Sequence, residues 1–188
     1  MTVQIKRLER EALFFITFTC YKWQNLFEIT DCYDSVYKWF AYMKTQGILT
    51  AGFVILPNHL HALIYLPAKA KGLDIIVGNG KRFIAYEVVK RLRIMKESDL
   101  LEKLSKSVKP REARNGKLHQ VFEPSFDAQL CVSGKFTKGK LDYIHRNPVK
   151  GKWQLAESYL DYVHSSACFY EYNEEHELVE LTSYLDLI

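Results

Sequence analysis

The sequence is short of the features that mark whole classes of protein. Its 188 residues include only nine glycines and five prolines, and they gather into no low-complexity linker that would part the chain into separate units. No apolar stretch runs long enough without charge to span a membrane. The start, MTVQIKRLEREALFFITFTCYKW, offers charge and a brief apolar stretch but no small-residue cleavage site, which predicts a cytoplasmic protein. The four cysteines, Cys20, Cys32, Cys131 and Cys168, form no CxxC pair, which argues against a zinc knuckle and for reduced core thiols. No internal repeat occurs.

What is present fits one globular core, with 48% hydrophobic and 26% charged residues. The net charge of +4 is unevenly spread: residues 81 to 117 hold twelve Lys or Arg against five acids, while the chain after Tyr170 has six acids and no Lys or Arg. A basic stretch of this kind can track phosphates. The same pattern equally describes a solvated helix face followed by a lysine-rich loop. The charge boundary divides the chain into a domain over 1–170 and an acidic extension over 171–188.

Residues 13–21, LFFITFTCY, are aromatic and β-branched and predict a first strand. Cys32, Val36, Trp39, Phe40 and Met43 fall at helical spacing, with Asp31 placed to cap the start and Gly47 to end it. Residues 49–57 and 59–67 predict two strands joined by a tight turn at Pro57-Asn58. A helix is expected from Gly72 to Lys109, with Phe83, Ile84, Val88, Leu92 and Met95 on one face and a basic loop overlapping its end from residue 105 to 118. A short extended segment at 120–132 and a helix at 135–153, stopped by Pro148, follow. This order predicts an α+β, ferredoxin-like split βαβ fold, an antiparallel sheet with helices on one face.

Two constellations carry chemistry. In a strand, residues i and i+2 share a face, so His59 and His61 stand side by side while Leu60 points into the opposite layer. Two imidazoles so placed can bind one divalent metal; many His-x-His pairs are plain surface residues. Tyr143 and Asn147 are four apart on a predicted helix and share its face. Asn147 precedes Pro148, which disfavours α geometry there and predicts that the helix ends with this amide free. A tyrosine nucleophile and an amide ligand one turn apart make a compact catalytic unit; a core aromatic and a helix cap would give the same pattern.

Taken together, LPNHLHALIYLP and DYIHRNPVKG resemble the single-tyrosine HUH transposases, in particular the REP-associated tyrosine transposase group. LFFITFTCYKWQNLF is similar to that family's first strand and following turn, FEPSFDAQL to the segment ahead of its tyrosine helix, and YVHSSACFY to a degenerate form of a later tyrosine–two-serine motif. The resemblance spans residues 13 to 170. It departs from the pattern at Leu56, where relatives carry Met, at His119, where an aromatic is common, and at Val163-His164, in place of Pro-Trp.

The resemblance implies that Tyr143 is the nucleophile and that His59, His61 and Asn147 bind a divalent metal, Mg²⁺ or Mn²⁺. It implies a metal-dependent endonuclease and strand transferase on single-stranded DNA at hairpin-flanked sites, through a 5′-phosphotyrosine link. Such a link conserves bond energy, in keeping with the lack of any GxxxxGK[ST] nucleotide-binding segment. A nucleoid-associated cytoplasmic protein, monomeric or homodimeric and without a membrane partner, is expected. Phosphate contacts are expected from Lys81, Arg82, Lys90, Arg91, Arg146, Lys150 and Lys152, and base stacking from Phe83, Tyr86 and Trp153. Two other readings remain open on the sequence: a non-catalytic DNA-binding protein on the same fold, and a metal-dependent phosphoesterase that uses water.

Overall fold

The computed structural model describes residues 11–187. Most of the charged start on which the cytoplasmic reading draws, and so the first ten residues of the 1–170 domain, lie outside the described residues.

Strands β1 (Ala12–Thr19), β2 (Leu49–Leu56), β3 (His59–Leu66) and β4 (Asp127–Leu130) form one antiparallel sheet in the order β2-β3-β1-β4. After a single helical turn, α1 (Leu26–Ile29), helix α2 (Tyr33–Thr45) carries the chain from β1 to β2; α3 (Leu73–Ile94) begins the return from β3 to β4. This is the expected ferredoxin-like α+β arrangement. Strand alternation sends Phe14, Ile16 and Phe18 of β1, Phe53 and Ile55 of β2, and Leu60, Ala62 and Ile64 of β3 to one face, where α2 and α3 pack together. Gly80 permits that helix pair: a Cβ there would run into the indole of Trp39.

The long helix expected after Gly72 is broken. Lys96 takes a left-handed conformation (φ 60), and the Glu97 N–H bonds back to the Leu92 carbonyl at 3.0 Å. That closure ends a helix, and α4 (Ser98–Lys106) and α5 (Pro110–Arg114) follow as separate pieces. Phe83 and Met95, assigned by spacing to the apolar face, are exposed; the buried line is Val77, Ile84, Val88 and Leu92. Asp31 does not cap α2, whose N-cap is Cys32, because Asp31 itself sits at φ 47 in the turn before it.

The other sheet face presents Leu13, Phe15, Val54, Leu56 and Leu63, and α6 (Gly134–Arg146) covers it with Leu141 and Ile144. Ser133 starts α6 by accepting the Phe136 N–H at 3.2 Å. A β-bulge at Thr50–Gly52 and the bare Gly52 let α6 approach, since a Cβ there would stand 2.6 Å from Leu141. The acidic end turns back onto the domain beyond α7 (Ala167–Tyr172): Leu181 bridges Thr50, the Thr182 N–H bonds the Thr50 carbonyl at 3.1 Å, Lys44 pairs with Glu180, and Val179 and Tyr184 are buried. Among the described residues, no helix is long and apolar enough to cross a membrane.

Candidate active site

The Pro57-Asn58 turn makes His59 the first residue of β3, opposite Thr19, and His61 falls opposite Thr17 of β1. Leu60 is fully buried in the core under α2 and α3, so both imidazoles point to the α6 face. They are buried and adjacent, with ring centroids 4.7 Å apart and planes at 87°.

Hydrogen bonds fix the chemical state of His59. The Asn58 amide NH₂ donates to the Trp23 carbonyl at 3.0 Å, an acceptor only, and to Asn25 Oδ1 at 3.2 Å. Asn58 Oδ1 therefore faces His59, and His59 Nδ1–H donates to it at 2.7 Å. The Nε2 lone pair of His59 is left free. His61 Nδ1 bonds the Thr17 hydroxyl at 2.6 Å, and its Nε2 is buried with no hydrogen-bond partner among the described residues. Buried polar atoms are rarely left bare. Burial pushes His59 down to about 4, helped by the charge of Lys152, and His61 down to about 3, helped by His59 and Lys140. Both rings are neutral near pH 7, the form that ligates metals.

Tyr143 lies across from this pair. Its ring is 5.1 Å from that of His61 and 6.1 Å from Phe15, edge-on to both, and it is 47% exposed. Phe136, Lys140, Tyr143 and Asn147 follow one flank of α6 at helical spacing. The Lys140 ammonium sits 4.5 Å from the centre of the Phe15 ring, and Ser133, Phe136, Lys140 and Tyr143 line a shallow open depression beside the phenol. Asn147 is half-buried where α6 gives way to a 3₁₀ turn (Asn147–Val149). The helix ends where expected, yet Asn147 keeps α geometry (φ −59, ψ −42), because Pro148 is taken up in the first turn of the 3₁₀ segment. The Asn147 side chain makes no hydrogen bond among the described residues.

The strand offers two neutral imidazole donors: the buried Nε2 of His61 and, by its tautomer, the Nε2 lone pair of His59. Among the described residues, no three His, Cys, Asp or Glu side chains gather that could hold a metal ion.

The expected phosphate contacts divide by sheet face. Lys81, Arg82, Lys90 and Arg91 ride on α3, across the sheet from the histidines. Lys81 spends its ammonium on the carbonyls of Glu123 (2.7 Å), Pro124 (3.3 Å) and Ser125 (3.0 Å), and burial pulls it down to about 8. Arg91 ties α3 to α2 through Asp34 at 2.7 Å and the Thr30 carbonyl at 3.2 Å. Lys90 lies exposed beside Glu87, and Arg82 lies over the exposed Phe83; Tyr86 is exposed too. Arg146, Lys150 and Lys152 follow Tyr143 on the histidine side: Arg146 lies over Tyr159, and Lys152 over Trp23 and Trp153.

The later segment YVHSSACFY packs onto the domain with Tyr162, Ser165, Ser166 and Ala167 buried and Val163 exposed. His164 stacks flat on Tyr33, with ring centroids 3.7 Å apart and planes at 6°. Ser166 Oγ accepts the Phe53 N–H at 2.9 Å and bonds His145 Nε2 at 2.9 Å. Thr17, Asn58, Lys140 and Trp23 were not foreseen as site residues. Asn58 gave only a turn signal, and Thr17 needs the β1–β3 register to be placed.

The domain is ferredoxin-like, with two histidines on an inner strand and the helix that carries Tyr143 laid over them. A solved structure of a REP-associated tyrosine transposase bound to a REP hairpin shares the fold, with a TM-score of 0.59 and 18% identity over 88% of this chain and 82% of that one. No known family's sequence pattern and no curated protein matches the chain.

Proposed function

We propose that this protein cuts and rejoins single-stranded DNA, with Tyr143 as nucleophile and His59, His61 and Asn147 holding Mn²⁺ or Mg²⁺. The observation that carries this reading is the bare, buried Nε2 of His61 with the half-exposed Tyr143 ring 5.1 Å away. The tyrosine oxygen attacks a backbone phosphorus, the bond to the 3′ oxygen breaks, and that oxygen leaves as a 3′-hydroxyl after gaining a proton. The product is a 5′-phosphotyrosine, which a 3′-hydroxyl can later attack to rejoin DNA. A bound divalent ion supplies positive charge where the phosphate oxygens gain electron density. Asn58 and Thr17 hold the two imidazoles in orientation, and Lys140 adds a fixed positive charge beside the phenol. The structural match was solved with a REP hairpin; a hairpin-bearing single strand is the partner we propose here.

A second reading, a DNA-binding protein that does not cut, is favoured by the absence, among the described residues, of a third His, Cys, Asp or Glu beside the histidine pair. One experiment separates them. Labelled single-stranded DNA with hairpins taken from beside the gene is incubated with protein and Mn²⁺, then run on a denaturing gel. Transesterification gives a covalent adduct that EDTA and Tyr143→Phe both abolish. Tight binding without cleavage establishes the binder, and cleavage that persists in Tyr143→Phe points to a water nucleophile.

A further inference from the structure

We infer that Trp23, Lys152 and Trp153 form a stacking site for an unpaired base of single-stranded DNA, beside His59. The inference shares its location with the proposed nuclease but does not depend on cleavage.

Trp23 is displayed at a cost to the backbone. It lies at φ 58, directly after Lys22 at φ 50, in a 3₁₀ turn (Tyr21–Trp23) between β1 and α1. Bulky residues rarely occupy this left-handed region, and such conformations persist only where their surroundings over-determine them. The surroundings do so here. The Trp23 carbonyl accepts from Asn58 at 3.0 Å, the Trp23 N–H bonds the Cys20 carbonyl at 3.0 Å, and the Lys22 N–H donates to Glu123 at 2.8 Å. The core gains little from the indole in return, since Trp23 is 57% exposed. Asn58, itself 1% exposed, is the same side chain that orients His59. One buried amide thus sets both the candidate metal ligand and the exposed ring.

The second indole comes from the segment after the tyrosine helix. The rings of Trp23 and Trp153 lie 5.5 Å and 6.1 Å from that of His59. The Lys152 ammonium is 5.9 Å from the centre of the Trp23 ring and 4.9 Å from that of Trp153. Two indoles sharing one ammonium offer π faces to a flat ring and a positive charge to the phosphate attached to it, the pairing that single-strand binders use. The ammonium disfavours a cationic guest. A duplex keeps its base faces stacked and cannot fill the site.

The chain's three tryptophans make the test direct, because Trp39 is buried and Trp23 and Trp153 are the ones that report. Tryptophan emission of the full Tyr143→Phe chain in EDTA is titrated with a ten-residue oligothymidylate, and with the same strand annealed to its complement. The single strand quenches and the duplex does not. Trp23→Leu and Trp153→Leu each weaken binding by about 5- to 160-fold, the range for loss of one stacked base, while Trp23→Phe keeps most of the affinity. Circular dichroism checks that each variant is folded. Equal quenching by duplex, or wild-type affinity in folded Trp23→Leu and Trp153→Leu, overturns the inference. The two readings fail separately: quenching without any covalent adduct sinks the nuclease and keeps the stacking site, and an adduct with unchanged affinity in both leucine variants does the reverse.

Discussion

The two faces of the sheet are built on different rules. Under α2 and α3 the strands contribute almost entirely apolar side chains, Thr50 apart: Phe18, Phe53, Ile55 and Leu60 are all within 1% of full burial. Under α6, at the end of the sheet where β3 begins, the same strands place Thr17, His59 and His61, and leave one imidazole nitrogen with no partner. A core gains nothing from a bare buried nitrogen. The first face holds the fold together; the second gives up some of that cohesion to hold chemistry. Even on the second face the rule is local, since His145 is as buried as His61 but spends its Nε2 on Ser166.

The largest effect that would test this division is on Tyr143. Tyr143→Phe should lower covalent adduct formation by about four orders of magnitude or more, as loss of a nucleophile does elsewhere. The melting temperature should hardly move, because the phenol is half exposed. Phe18→Ala on the opposite face should do the converse. It should cost about 3–5 kcal/mol of stability by the usual scale for a buried aromatic, yet the molecules that stay folded should form adduct at the wild-type rate. Denaturant melts and single-turnover gels read both. A drop in rate per folded Phe18→Ala molecule would mean that the faces are not independent.

Acid should expose the second face. His59 and His145 are held down to about 4, and His61 to about 3, all chiefly by burial. An unfolded chain protonates its histidines near pH 6.5, so between that pH and about 4 the unfolded state binds more protons than the native one. Stability is therefore full above about pH 6.5 and falls as the pH drops, by roughly 3 kcal/mol for each such histidine by pH 4. His61→Leu should flatten part of that slope and hold or raise the stability of metal-free protein at pH 7, because it removes the unsatisfied nitrogen. If the proposed site binds Mn²⁺, the wild type should melt higher with the metal, and His61→Leu should abolish that rise. A variant that melts lower at pH 7 and still responds to Mn²⁺ would show that His61 is an ordinary core residue.

Much of the first face was legible in the sequence because it depends on period alone. The alternation of β1 and β3 and the 3.6-residue spacing of Val36, Trp39, Phe40 and Met43 fix which side chains meet. The side shared by His59 and His61 followed from the same alternation. Where period was not enough, the reading slipped. Lys96 ends α3 in a left-handed turn that a lysine does not advertise, so one long helix was expected where there are two, and α5 forms in what was expected to be loop. Charge density suggested DNA contacts on α3 but says nothing about partners, which only the structure supplies: Lys81 is tied to carbonyls and Arg91 to Asp34. Asn58 looked like a turn residue because its link to Trp23, 35 positions earlier in the chain, exists only once the fold has closed.

The smallest effect is the one that sharpens the comparison most. If nucleic acid lies on the histidine side, the cations that meet phosphate include Arg146, Lys150 and Lys152, and each one removed should lower the dependence of log affinity on log salt by about 0.7 for a single strand. Lys152→Gln and Lys150→Gln should each do so in filter-binding titrations with an oligothymidylate between low and moderate salt. Arg82→Gln and Lys90→Gln, on α3 across the sheet, should leave the slope at its wild-type value. Slope rather than affinity is the quantity to compare, because a variant that merely loosens the fold lowers affinity at every salt concentration without altering the number of counterions released. If the α3 variants lose slope and the Lys150 and Lys152 variants do not, the strand runs over the helical face, and the histidine side cannot be where DNA is cut.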